Sequence, residues 1–404
     1  MSATTPGVTP ITSAPGMPPA TVPAGPLGRR PGGGGGEGGR RGLAGYVFVA
    51  PATGLLFLFL LLPIFMALWV SLSDWTGQGS PFSGSANFVG TENYQRLFLE
   101  DGLVRKDFMT SLRNTAFYVA IVVPAQTALS LFLALVVNQK LRGQGFFRTA
   151  FYFPSVTSSV AISLVFLFLF TGSGAINGVI GLFGVDGPQW FSDARGLVHL
   201  FGDKLGLWDT DSPPGVLADS SVGGLTLWDW ISGPSVAMTA IIFLVVWTTA
   251  GTFMLMFLAA LQDIPAEVDE AATVDGAGRW QRFRFVTLPQ LKPAVFLVTT
   301  LGLIGTWQVF DQIYIMSGGN PAKTTLTPAF LSYLYSFRQN EWGVGAAMAF
   351  VLFAIIVVMT SIQRFVMRDK DAIRDQKATR AARGRAGARE HQLADRSGRG
   401  EGAG

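Results

Sequence analysis

The chain has 404 residues, of which 49% are hydrophobic and only 14% charged, with 32 Phe; that balance departs from soluble domains and suits the lipid bilayer. It has no Cys, which excludes disulfide frameworks, thiol catalysis and Cys-ligated zinc, and its two His, His199 and His391, stand in separate polar segments that build no His zinc site. The formal charge of +4 comes from bases that crowd the two tails beside apolar stretches, a pattern of membrane orientation and not of a nucleic-acid surface.

Residues 1–45 are rich in Pro, Gly, Thr and Ala and include Gly33 to Gly36. They offer too little apolar surface to fold, so a disordered tail is expected. The glycine run lacks the following strand, helix and Lys of a phosphate loop. No short apolar core with a cleavage site precedes the first hydrophobic stretch, which therefore reads as a retained anchor and not a signal peptide.

Crossing a membrane by helix takes about 20 apolar residues, at about 1.5 Å each over a core roughly 30 Å thick. Six stretches qualify: 46–72, 115–137, 151–170, 236–261, 294–316 and 343–365. The expected fold class is an all-α membrane protein of six transmembrane helices, with a transmembrane domain over 46–367. The first four stretches contain no charge, the fifth holds Asp311, and the sixth ends at Arg364. Pro63, Pro124 and Pro154 fall inside spans, where neighbouring helices can satisfy the freed backbone groups.

Arg29, Arg30, Arg40 and Arg41 precede the first span, Lys140, Arg142 and Arg148 join the second to the third, and Arg279, Arg282, Arg284 and Lys292 join the fourth to the fifth. With Arg364, Arg368, Lys370 and Arg374 after the sixth, these segments and both termini are assigned to the cytoplasm. Arg96, Arg105, Lys106 and Arg113 in the first outer loop run against this, but the opposite orientation would export the more basic tails and two basic loops. The outer loop at about 171–234 carries Trp190, Trp208, Trp228 and Trp230. It reads as a cap on the membrane surface or as a docking surface for an outside partner, and the role of its 194–232 portion stays open. The basic C-terminal tail, 368–404, is expected to be solvated, with a short helix near anionic lipid as the alternative.

The segment 263–293 has a readable physics of its own. Pro265 suits the first turn of a helix, Glu267, Asp269 and Glu270 favour its positive end, and Ala271 and Ala272 have high helix propensity. Gly276 supplies a residue that can take φ > 0 and stop it. A second short helix from Ala277 or Gly278 interleaves Arg with aromatic residues up to Phe285, and Pro289 and Pro293 lead into the fifth span. The expected product is a compact helix-turn-helix on the cytoplasmic face, with small residues at its tip.

In this segment the chain resembles the binding-protein-dependent ABC importer permeases, in particular the sugar-permease branch. The family's cytoplasmic signature is Glu-Ala-Ala, three residues, Gly, nine residues, Ile, one residue, Leu-Pro. Here it reads Glu270-Ala271-Ala272, Gly276, Val286, Leu288-Pro289, with every spacing kept. The likeness extends over about 46–365: Phe88 to Tyr94 resembles an outer-loop signature, Asn114-Thr115 opens the second span, and Lys140 to Arg148 with Pro154 is similar to the second cytoplasmic loop and third span. Trp307 to Tyr314, followed by Gly318-Gly319-Asn320-Pro321, resembles the end of the fifth span, although Asn320 departs from the commoner Gly-Gly-Gly-Pro run.

This resemblance implies a coupling loop in which Glu270, Ala271, Ala272, Asp275, Gly276, Leu288 and Pro289 meet a cytoplasmic ATPase, with Glu270 reaching a basic residue there. It also implies a second homologous permease subunit, a cytoplasmic ABC ATPase dimer that binds ATP and Mg, an extracellular solute-binding protein, a bacterial inner-membrane setting, and solute movement by alternating access. No Gly-x-x-x-x-Gly-Lys-Ser/Thr occurs in the chain, so no P-loop can form, and neither enzymatic activity nor a cofactor of its own is expected. A sugar or oligosaccharide is the expected cargo, with glycerol 3-phosphate or another small polar solute as the alternative and a passive channel as the reading from a different class.

Candidates for the translocation path are Gln308, Asp311 and Gln312, at helical spacing in the fifth span, where a carboxylate at membrane depth must face protein or water. Trp247, Thr248 and Thr252 on the fourth span are the other candidates, the two Thr being able to hydrogen-bond a polyol. A structural contact to the partner permease or the first outer loop is the competing use for the first set, and packing against another helix for the second.

Overall fold

The structure, a computed structural model, describes residues 37–82, 84, 86–139, 142–209 and 215–367. The expectations for 1–36 and for the C-terminal tail from 368 lie outside these residues. The chain divides into two units, 1–62 and 63–404. In the first, helix α1 (Glu37–Leu56) continues through a π-helical turn, Phe57–Leu61. The helix thus begins before Tyr46, the boundary expected from composition, because Arg40, Arg41, Leu43 and Ala44 propagate a helix well despite their glycine neighbours. The apolar stretch Tyr46–Ser71 has 26 residues, enough to cross a bilayer.

The second unit begins within α2 (Leu62–Ser71) and continues with α3 (Glu92–Phe98). Asn93 explains why the residues ahead of α3 hold a fixed path: its buried amide donates to the Ser71 and Ser73 carbonyls at 3.0 and 2.9 Å. Helix α4 (Leu103–Val137) is 35 residues long, roughly 50 Å and well beyond bilayer thickness. This corrects the expected start at Asn114-Thr115. Arg105, Lys106 and Arg113 stand on a helix and not in a loop, and Arg113 is buried, donating to the Asp229 carbonyl at 3.2 Å and to Asn114 Oδ1 at 2.9 Å.

The expected third span is broken. Helix α5 (Gln144–Val156) and helix α6 (Ser159–Leu169) meet at 95°. Pro154 removes a backbone donor just where Ser155 and Thr157 turn their hydroxyls onto the Tyr152 and Phe153 carbonyls at 2.7 and 3.1 Å, so the helix ends and restarts at the Ser158 cap. The segment after α6 carries α7 (Ala175–Gly181), α8 (Leu197–Lys204), α9 (Gly215–Asp219) and a hairpin of β1 (Ser221–Val222) with β2 (Leu225–Thr226). Gly223 and Gly224, both at positive φ, form its two-residue turn. Thr226 then caps α10 (Leu227–Ile231) in a reciprocal bond pair with Asp229.

Helix α11 (Val236–Gln262), capped by Ser235, is the most buried of the long helices and packs along α4 and α5. A Cβ at Gly251 would strike the Phe151 carbonyl, so glycine sets how near α5 can come. The next elements are α12 (Ala266–Val274), α13 (Arg279–Arg282), a π-helical turn Phe283–Thr287, and α14 (Leu288–Gln290). Helix α15 (Lys292–Trp307) then turns by 67° from the preceding helical run.

The expected fifth span, 294–316, is likewise not continuous: α15 stops at Trp307 and α16 (Asp311–Met316) starts after a break at Gln308 to Phe310. Helix α17 (Pro328–Tyr333) and a further π-helical turn, Leu334–Arg338, fold back onto α18 (Trp342–Val366). Among the described residues, four helices are long and apolar enough to cross a membrane, and six spans result if each bent pair counts as one. Two clusters of buried apolar side chains run through the second unit. The larger joins α4, α6, α11, α16, α17 and α18, and the smaller joins the far ends of α4, α11 and α15.

Candidate functional site

Two features answer to the expected sites: a cavity inside the bundle and the helix-turn-helix beyond the end of α11. The cavity, of about 260 Å³, opens between α4, α11 and the break after α15. Thr249, the midpoint of α11, lies on its wall. Its hydroxyl stands 2.8 Å from Gln126 Oε1 and 2.7 Å from the Val245 carbonyl, and its single proton serves one of them at a time. Gln126 is 1% exposed, and its Nε2 finds no partner among the described residues. A Cβ at Gly302 would collide with that nitrogen, so glycine on α15 gives the amide its place. The fully buried Tyr118 hydroxyl, also on the wall, likewise has no partner among the described residues. Buried donors left unsatisfied cost free energy unless a water or a ligand serves them, and these two border the same space.

Gln308, Asp311 and Gln312 all line this cavity, but not as one face of a helix. Gln308 caps the end of α15, Asp311 opens α16, and Phe310 between them takes φ −135° and ψ −61°. All three polar side chains reach the cavity from around the break, Gln308 and Asp311 while remaining exposed. Gln312 Nε2 donates to the Ser159 hydroxyl at 3.1 Å, which holds α16 against the start of α6.

On α11 the expected pair is displaced. Thr248 spends its hydroxyl on the Leu244 and Val245 carbonyls at 3.0 and 3.1 Å, Thr252 is exposed, and the Trp247 ring packs 5.3 Å from Phe166. None of the three lines the cavity. The wall is built by Val245, Thr249 and Phe253, one residue and so about 100° round the helix from the expected face. Tyr118, Gln126, Thr249 and Thr306 are polar cavity residues that the sequence reading missed. The available signal was a lone Gln inside the otherwise apolar second span.

The helix-turn-helix forms as its residues dictate. Helix α12 starts at the Pro265 cap with Glu267 and Asp269 in its first turn. It ends where Gly276 adopts φ +78° and the Ala277 amide bonds back to the Ala272 carbonyl at 3.0 Å. Gln281 reaches back to the Gly278 amide at 2.8 Å to start α13. Arg282 ties the two helices, donating to Asp269 Oδ2 and to the Thr273 hydroxyl, both at 2.9 Å.

No residue of α12 is buried. Glu270, Ala271, Asp275, Gly276 and Pro289 are exposed, Ala272 and Leu288 half-buried. Glu270 makes no side-chain hydrogen bond or ion pair among the described residues. The tip therefore leaves a carboxylate and small residues on the surface, while Leu291, fully buried among Val137, Leu258 and Leu261, roots the element in the bundle. Beside it a groove of about 930 Å³ runs between Leu131, Phe132 and Leu135 of α4 and Trp280, Arg282 and Phe283.

A bundle of bent spans around a polar cavity, with an unburied helix-turn-helix at one end, is the architecture of a transport permease. Residues 126–371 match the family described as "Binding-protein-dependent transport system inner membrane component". The chain is 31% identical over 330 residues to the lactose transport system permease protein LacF of Rhizobium radiobacter, covering 81% of this chain and 94% of that one. It is 27% identical over 324 residues to the trehalose/maltose transport system permease protein MalF of Thermococcus litoralis, covering 80% and 93%.

In fold it is similar to a chain of a bacterial ABC transporter involved in the import of the acidic polysaccharide alginate, with TM-score 0.60 and 18% identity over 82% of this chain and 97% of that one. The chain belongs to the binding-protein-dependent transport system inner membrane components, and it is a multi-pass membrane permease subunit of an ATP-driven importer.

Proposed function

We propose that this permease carries a sugar or oligosaccharide through the α4–α11–α15 cavity, driven by a separate ATPase that grips the α12–α13 element. The observation that carries the reading is the state of that element: no residue of its first helix is buried, yet its root is fixed by a fully buried leucine. Such a lever transmits displacement without absorbing it. Glu270 offers a free carboxylate for a basic residue on the motor, and Ala271, Ala272 and Gly276 allow its surface to approach closely.

ATP and Mg belong to the motor in this reading. Paired with a second permease, whether a homologue or a copy, the bundle rocks as the motor dimer closes and exposes the cavity to each side in turn. The termini and the α12–α13 element lie in the cytoplasm, in keeping with the bases around Arg279 to Lys292. A solute-binding protein delivers cargo at the opposite face. The related alginate importer has been solved with an alginate pentasaccharide-bound periplasmic protein, and the relatives named for lactose and for trehalose/maltose favour saccharides.

The cavity chemistry favours a neutral polyol over glycerol 3-phosphate. Its wall holds Tyr118, Gln126, Thr249, Gln308, Asp311 and Gln312 with the rings of Phe253 and Phe310, and among the described residues no Lys or Arg. A phosphate dianion beside Asp311 would lack a counter-charge.

The test is reconstitution. The chain alone in vesicles should pass no sugar, and flux should appear only with ATPase, companion permease and binding protein present. Glu270→Lys should remain inserted but lose co-purification of the ATPase. Passive flux through the chain alone would overturn the importer mechanism in favour of a channel, and unchanged co-purification would overturn the role of Glu270.

A further inference from the structure

We infer that the segment from Thr171 to Trp190 is a lipid anchor whose tip, at Leu182 and Phe183, inserts among the acyl chains of the leaflet that borders this end of the bundle. Ring contacts fix the depth of its root. Helices α6 and α11 run antiparallel: Phe166 meets Trp247 at 5.3 Å, and one turn on Phe170 meets Phe243 at 6.1 Å. Phe243 lies seven residues inside α11 from its start at Val236, roughly 10 Å along the helix axis. Trp190, where the segment returns, packs edge-on to Phe170 at 4.9 Å. Both ends of the segment therefore sit about two turns inside the end of α11, level with the exposed ring of Phe243.

The segment is built to stay extended from that root. Asn177 staples its two limbs, donating to the Gly172 and Pro188 carbonyls at 3.1 Å each and accepting from Trp190 Nε1 at 2.7 Å. Gly184, at φ +73°, closes the tip, with the Phe183 and Gly184 amides bonded to the Ile180 and Gly181 carbonyls at 3.0 Å. The tip does not fold over its own apolar residues. Leu182 is 84% and Phe183 80% exposed, and Val179 and Val185 are exposed beside them.

From Thr171 to Trp190 the one charged residue is Asp186. A loop meant for water would not concentrate its largest apolar side chains at its most exposed point. Lipid is the occupant the surroundings favour, because the segment continues directly from α6, whose Leu164, Val165 and Phe168 are exposed in the same way. Lacking Lys and Arg, the anchor works by apolar insertion and owes nothing to anionic headgroups.

The absence of native Cys makes the test direct. Phe183→Cys, or Leu182→Cys should the first variant fail to insert, is labelled with a nitroxide in the full chain and reconstituted in phosphatidylethanolamine–phosphatidylglycerol vesicles. Power saturation should show several-fold greater collision with oxygen than with a water-soluble nickel chelate. That pattern should match a label at Phe168→Cys on α6 and be the reverse of one at Lys204→Cys. A label more accessible to the chelate than to oxygen would place the tip in water, and one shielded from both would place it under protein. Either result overturns the anchor while leaving the importer reading intact.

Discussion

At the scale of single residues, the proposed path is marked by buried polar atoms that lack a partner among the described residues. Gln126 accepts from Thr249 through one end of its amide and turns the other toward the cavity beside Gly302. Gln126→Leu removes a donor that solute would use, while Thr249 keeps the Val245 carbonyl. Stability should change by no more than about 1 kcal/mol and the half-saturating sugar concentration should rise roughly two- to tenfold, read from uptake kinetics beside thermal unfolding. The polar character of this wall was legible in the sequence at Gln308, Asp311 and Gln312, but Thr249 was not separable from Thr248 there: both are Thr in an apolar span, and only the packing of α4 decides which one turns inward. A second residue-scale consequence concerns His199, stacked 3.9 Å from Trp228 and held below its ordinary pKa by burial, with a backbone hydrogen bond to Trp228 and the Asp229 carboxylate acting the other way and Arg113 reinforcing the burial. The neutral imidazole is the folded form. Above about pH 6.5 neither the folded nor the unfolded segment binds the proton. As pH falls below that value the unfolded segment takes it up first, so stability is lost on the way down to the depressed value. Protease resistance of residues 171–235 should fall between pH 7.5 and 5.5, and His199→Phe, which keeps the stacking, should flatten the profile.

At the scale of elements, the helix-turn-helix was the most legible part of the chain because it is determined locally. An acidic first turn, two Ala and a Gly able to take positive φ specify α12 and its stop without reference to any distant residue. The breaks in the third and fifth spans were not legible. Apolar composition and length measure how much of a segment suits lipid and are blind to direction, so Pro154 with its Ser and Thr neighbours, and the Gln308–Phe310 interruption, passed as interior residues of continuous helices. Within the helix-turn-helix, Arg282 is the sole side-chain tie between α12 and α13 among the described residues, and its partner Asp269 is largely exposed. An ion pair in that setting contributes about 0–1 kcal/mol, so Arg282→Ala should leave thermal stability nearly unchanged. If the element acts as a lever, a loosened joint dissipates the stroke: the variant should keep its bound ATPase but hydrolyse more ATP per sugar carried, measured as the ratio of phosphate released to sugar taken up in proteoliposomes. An unchanged ratio would show that α12 is held in place by the partner alone.

At the scale of the whole molecule, the question is which end faces which compartment. Helix count alone gives no direction; the proposed one rests on the bases. Arg279, Arg282, Arg284 and Lys292 crowd the end that bears α12, whereas the segment from Thr171 to Ser235 holds the Arg195–Asp193 pair, and Lys323 pairs with Asp107 and Arg96 with Glu341 elsewhere in the chain. In the folded chain several bases at the far end are held in ion pairs and Arg113 is buried, while those around α12 are largely exposed. Opposite accessibility of the two ends follows. Val274 at the tip of α12 and Leu207 after α8 are both exposed, 88% and 64%, and the chain has no Cys to interfere. With a membrane-impermeant maleimide, Leu207→Cys should react in intact spheroplasts and Val274→Cys only in inverted vesicles. The reverse pattern would put the coupling element on the wrong side of the membrane for any nucleotide-driven motor.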